Sequence, residues 1–107
     1  MIDDSTYGGY VARHERPPAF DGSDGQAYSV ALLVDDAPDP AGRFGGAFLF
    51  VRWAEGGDLP AGHVETEQLV FGWSPDDAER QLGAMSLLEV KAHLDRAIEA
   101  RAGTGDW

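Results

Sequence analysis

Two periodicities divide the chain. Up to Trp73 apolar residues recur mostly at every second position, and from Ser74 onward they recur at three and four. The first spacing is that of a strand with one buried face, the second that of an amphipathic helix. "YGGYVARH" (Tyr7 to His14) reads as a first strand, ended by "ERPP", because Pro17 and Pro18 cannot both join a ladder. Arg16 to Asp24 then reads as a connection containing the turn-rich "FDGSDG". "QAYSVALLV" (26–34) is a second strand, with Tyr28, Val30, Leu32 and Val34 on one face and Ala27, Ser29, Ala31 and Leu33 on the other. "FGGAFLFVRW" (44–53) is a third, setting Phe44, Phe48 and Phe50 against Ala47, Leu49, Val51 and Trp53. "GHVETEQLVFGW" (62–73) is a fourth. The short connections "DDAPDPAG" and "AEGGDLPAG" favour antiparallel neighbours.

Helix signals are denser at the end. Ser74 is an N-cap, Pro75 suits the first helical position, and Asp76, Asp77 and Glu79 favour the positive end of the dipole. Gly83 reads as a stop. Ser86 and Glu89 form a capping box for a longer helix. Its stripe is Leu87, Val90, Leu94, Ala97 and Ile98, with Gly103 just past its end. The pattern therefore predicts one α+β domain over residues 1–107. A two-layer arrangement follows: a roughly four-stranded antiparallel meander over 7–73, then a short and a longer C-terminal helix over 74–102 packed on one sheet face. Residues 1–6 and 103–107 are expected to fray unless Trp107 docks.

This layout leaves an imbalance. The third strand, and in part the second, is apolar on both faces, while the two helices can cover only one. The other face calls for loops, a second copy, a ligand or a partner. Nine aromatics fall in the expected sheet, and aromatics anchor interfaces as well as cores. Tyr7, Tyr10, Phe48, Phe50, Trp53 and Trp73 are the candidate interface or ligand residues.

Composition narrows the function classes. Apolar residues make up 43% of the chain, which suits a folded domain, and no apolar run approaches the length of a membrane span. There is no cysteine, so disulfides and thiolate chemistry are out. The acidic N-terminus lacks the pattern of a secretory signal, and the totals favour the cytoplasm. A net charge of −11 with dispersed arginines disfavours direct contact with nucleic acid or an anionic membrane.

Candidate chemistry is sparse. His63, Glu65 and Glu67 share a strand face and offer an imidazole and two carboxylates to zinc, manganese or iron, or to acid/base work. Same-face neighbours lie about 7 Å apart, however, which is wide for one ligand shell. The polar half of that segment reads more simply as the wet end of a strand that leaves the sheet near Glu65 to Glu67, or switches faces at a bulge, before Leu69, Phe71 and Trp73 enter the core. His14 would approach His63 only if the first and fourth strands paired, and His93 reads as an exposed helical residue above Glu89. "DGSDG" lacks a calcium loop's acidic spacing, no serine lies in a nucleophile elbow, and no glycine pair makes a phosphate loop. No cofactor is implied. The reading that results is a small acidic binding module that makes a homodimer or receives a protein or small apolar ligand through its sheet. The alternatives are a metal-dependent enzyme at His63, Glu65 and Glu67, and an acidic inhibitor or antitoxin-like protein that occupies a basic surface.

Overall fold

The computed structural model of the chain describes residues 4–103, so Trp107 and the tail around it lie outside the described residues. Its elements run α1 (Tyr7–His14), β1 (Ala19–Asp21), β2 (Ala27–Val34), β3 (Phe44–Trp53), β4 (Pro60–Glu65), β5 (Val70–Gly72), α2 (Pro75–Gly83) and α3 (Leu87–Gly103). The class is α+β: an antiparallel sheet ordered β1-β2-β3-β4, with β5 also paired to β3, and helices against one face. Among the described residues no helix is long and apolar enough to cross a membrane.

The first expected strand is a helix. Alternation of Tyr7, Gly9 and Val11 imitates a strand, yet Tyr7 and Val11 are also four apart on one helical face. The Thr6 hydroxyl accepts the Gly9 N–H at 3.0 Å and caps the helix, which ends at Glu15 in the left-handed region (φ 55°) just ahead of the prolines. Two adjacent glycines are poor helix formers, so packing must settle the matter. At Gly8 a Cβ would stand 3.1 Å from the Gly83 carbonyl oxygen, and its absence lets α1 close onto α2. Ser5 and Thr6, expected to fray, are instead held: Leu87 donates to the Ser5 carbonyl at 2.8 Å, and Tyr7 donates to Met85 at 2.9 Å.

The meander's outer strand comes from the expected connection. Pro18 is buried, and β1 follows it to pair with the start of β2, Phe20 opposite Tyr28. Pro18 cannot donate, but its carbonyl accepts the Val30 N–H at 3.2 Å. The β1–β2 turn is the "DGSDG" stretch. Gly25 has positive φ (81°), and Asp24 accepts from the Gln26 N–H at 3.0 Å and the Tyr28 hydroxyl at 2.7 Å, which is turn chemistry.

β2 and β3 form the long central pair, from Tyr28 opposite Arg52 to Val34 opposite Gly46. The fourth expected strand is split. Glu65 lies opposite Leu49 and Val70 opposite Gly46, so four residues span what two cover on β3. Thr66 holds the interruption: its N–H donates to the Phe48 carbonyl at 3.0 Å, and its hydroxyl accepts the Phe48 N–H at 3.1 Å. Because two residues are added, faces do not switch. Phe71 stays on the side of His63 and Glu65. Leu69 does pack against the core, but Phe71 and Trp73 remain exposed rather than entering it.

The C-terminal helices form as their caps direct. Ser74 accepts from Asp77 at 3.0 Å, and Ser86 accepts the Glu89 N–H at 3.1 Å. Leu82 of α2 joins Val90, Leu94 and Ile98 of α3 and Tyr7 of α1 against Tyr28, Val30, Phe48, Phe50 and Val64 of the sheet. All of these sheet residues share one face. The helix layer covers it, and no helix covers the opposite face, on which Gly45 and Ala47 are nonetheless buried.

Candidate binding surface

Register shows what the uncovered face carries. Ser29, Val51 and His63 form one row across the strands, Ala31, Leu49 and Glu65 the next, and Leu33 with Ala47 a third. Ala27, Ser29, Ala31 and Ala47 are small, which leaves the surface flat around Leu33, Leu49, Val51 and Trp53. The Trp53 indole N–H donates to Ser29 at 3.0 Å, so the ring is fixed across the two strands. Leu33 is 43% exposed and Phe71 41%. Beside Val51 and Leu49 a shallow hollow of about 400 Å³ is closed by Pro60, Gly62 and His63.

The two central strands carry no charge on this face; charge lies on the outer strands and at the ends. Asp35 marks one end, where its carboxylate accepts from the Gln68 amide at 2.6 Å and the Gly45 N–H at 3.1 Å. A Cβ at Gly45 would meet the far end of the Gln68 side chain, which would have to swing away from Asp35. Arg43 lies 4.5 Å over the Phe71 ring and is bound to Asp39 at 3.1 Å. Backbone N–H donation from Arg43, with its positive charge, lowers the Asp39 pKa. Two acids stand within the strand rows, Asp21 opposite Ala27 on β1 and Glu65 opposite Leu49 on β4, one on each outer strand.

The expected metal ligands are placed apart. His63 and Glu65 share the uncovered face as neighbours two residues apart on β4, while Glu67 belongs to the interruption after it. Among the described residues no three His, Cys, Asp or Glu side chains gather as a metal-binding group. His14 ends α1, with its ring 4.3 Å from Tyr10 and its Nε2 3.4 Å from Asp4; β4 lies at the other side of the sheet from β1. His93 is not an exposed residue: it is half-buried, its ring 6.5 Å from Phe48 and its Nδ1 2.9 Å from an Arg96 nitrogen. Burial, then the Arg96 charge, lowers its pKa, and Glu89 and Glu67 oppose the shift.

No protein-family model, curated protein or solved structure matches the chain. The site therefore rests on geometry. Of the aromatics named from the sequence, Phe48 and Phe50 are buried beneath the helices, and Tyr7 and Tyr10 lie on α1, with Tyr7 buried. Trp53 is on the uncovered face. Trp73 is 72% exposed just before α2. The residues that make the surface with Trp53 are Leu33, Leu49 and Val51, which were missed because they are aliphatic. A signal was present: the larger side chains of β2 and β3 share the core face, and the alanines and serine the other.

Proposed function

We propose that the protein is a binding module that self-associates by stacking the uncovered faces of two sheets. The observation that carries this reading is the apolar cluster of Leu33, Leu49, Val51 and Trp53 on the two central strands of a bare face, its acids Asp21 and Glu65 confined to the outer strands, on a chain of net charge −11. A surface that must stay wet would spend some of that charge there. Strands of 3, 8, 10 and 6 residues, about 4.8 Å apart, offer roughly 430 Å² of projected sheet. A specific interface buries roughly 800 Å² per partner, so such a stack would use the whole of this face. A two-fold axis near Leu49 would pack each β3 row against its counterpart, in the manner of sandwiched sheets. The acids of this face, Asp21 and Glu65, are on the outer strands, where a stacked arrangement can leave their carboxylates at the solvated rim.

Such an interface has a distinctive salt response. The two copies repel at long range, and salt screens that repulsion, so association strengthens as ionic strength rises. Sedimentation equilibrium of the unaltered chain tests the reading directly. A dimer that tightens with salt is expected. A strict monomer at high protein concentration overturns it.

A further inference from the structure

A second opening lies at the sheet's margin, independent of the uncovered face. β1 pairs only with Ala27 to Ser29, and Pro18 adds one bond to Val30, whose own carbonyl accepts the Tyr7 hydroxyl at 3.2 Å. β2 continues to Val34 with nothing paired beside it among the described residues. Alternation fixes which groups are left. Asp35 donates to Gly45 of β3, so odd-numbered residues bond inward, and the N–H and C=O of Leu32 and Val34 point outward. None of the hydrogen bonds among the described residues engages them.

The space above this edge is shaped. A groove of about 680 Å³ runs between α1 and α2, with Leu32 at its floor and Tyr7 and Val11 on its wall. Asp76 and Glu79 stand exposed on its rim, and Asp36 lies just beyond Val34. The one cation of the rim, Arg80, is bonded to Asp77. An unpaired edge that is not blunted by lysine or proline is a template for another strand. The groove takes alternate side chains of such a strand, and the rim selects positive ones at its ends.

We infer that the Ala31–Val34 edge of β2 takes up an extended basic segment of a partner protein as an added antiparallel strand, with its apolar side chains in the groove between α1 and α2. Main-chain bonds give affinity and the groove gives selectivity, as in other strand-addition complexes. Residues opposite Leu32 and Val34 both face the groove and direct their N–H groups at β2.

That parity supplies the test. The probe is a capped peptide, Lys-Thr-Val-Thr-Val-Thr-Lys, whose lysines and valines share one face, titrated into the isotope-labelled full chain and followed by amide NMR. The largest shifts are expected at Leu32 and Val34. N-methylation of both valines weakens binding about tenfold or more, because two interstrand bonds are lost, whereas N-methylation of the threonines changes it less than about threefold. Glutamates in place of the lysines abolish binding, and Asp76→Asn with Glu79→Gln weakens it and reduces its salt dependence. The inference is overturned if the probe does not bind at millimolar concentration, if its shifts fall on Leu49 and Val51 instead, or if the two methylated peptides lose affinity equally.

Discussion

The two faces of the β2–β3 pair are built from the same strands and meet different fates. One carries Tyr28, Val30, Phe48 and Phe50, all almost wholly buried beneath three helices. The other carries Ser29, Ala31, Ala47, Leu49 and Val51; no helix lies over it, and only at Gly45 and Ala47, beside the Gln68 side chain, is it closed from solvent. Both alternate cleanly, so periodicity alone does not say which is covered. Bulk does: the helices settle where large side chains offer the most area to remove from water. The second face is apolar without being large, which suits a surface that packs flat against another flat surface.

Truncation separates the two most sharply. Phe48→Ala or Leu94→Ala should destabilise the fold by about 3–5 kcal/mol, since each empties a site in the covered layer. Leu49→Ala should cost the isolated chain less than about 1.5 kcal/mol, because its side chain is only half-buried. Chemical denaturation of dilute protein measures both, and equal losses would erase the distinction between the faces. Val51→Glu gives the converse result. It should leave the circular dichroism and the dilute-protein midpoint nearly unchanged while abolishing association, because two buried carboxylates would oppose one another across the interface. Persistence of the dimer in that variant would move the contact elsewhere.

Smaller effects probe the borders of the comparison. Thr66→Val removes the acceptor of the Phe48 N–H and should cost about 1–2 kcal/mol, with faster hydrogen exchange at Phe48. His93 gives the smallest effect. Its pKa is lowered in the fold, so the unfolded chain binds the proton more readily. Stability should fall as pH drops below about 6.5 and level off once the folded imidazole is protonated. His93→Gln should flatten that slope, and an NMR titration of His93 should show a midpoint below that of an unstructured histidine.

Much of this plan was legible in the residues, for definable reasons. Ser74, Pro75, Ser86 and Glu89 are local signals, and the structure uses each where it stands. The long alternation of β2 and β3 left little ambiguity. Tyr7 to His14 was misread because eight residues with two glycines carry no decisive local preference; a distant contact, Gly8 on Gly83, makes them a helix. β1 was overlooked because the proline pair reads as a breaker, although a proline just before a strand leaves its carbonyl free to pair. At the site, the shared face of His63 and Glu65 was visible, but the departure of Glu67 depends on the Thr66 hydroxyl standing in for a main-chain acceptor. Which face would be bare depends on where helices dock, and strand parity does not encode that.

The interruption between Glu65 and Val70 also constrains how this protein can change. Its two surplus residues keep Val70 toward the helices and Phe71 toward solvent. Losing or gaining a single residue there, for example by deleting Gln68, would exchange those two side chains and put a phenylalanine where Val70 meets Leu82. Losing or gaining two would leave the order intact. Length variation in this stretch should therefore be tolerated in even steps and selected against in odd ones, a counting rule that a deletion series through residues 66–69 would reveal.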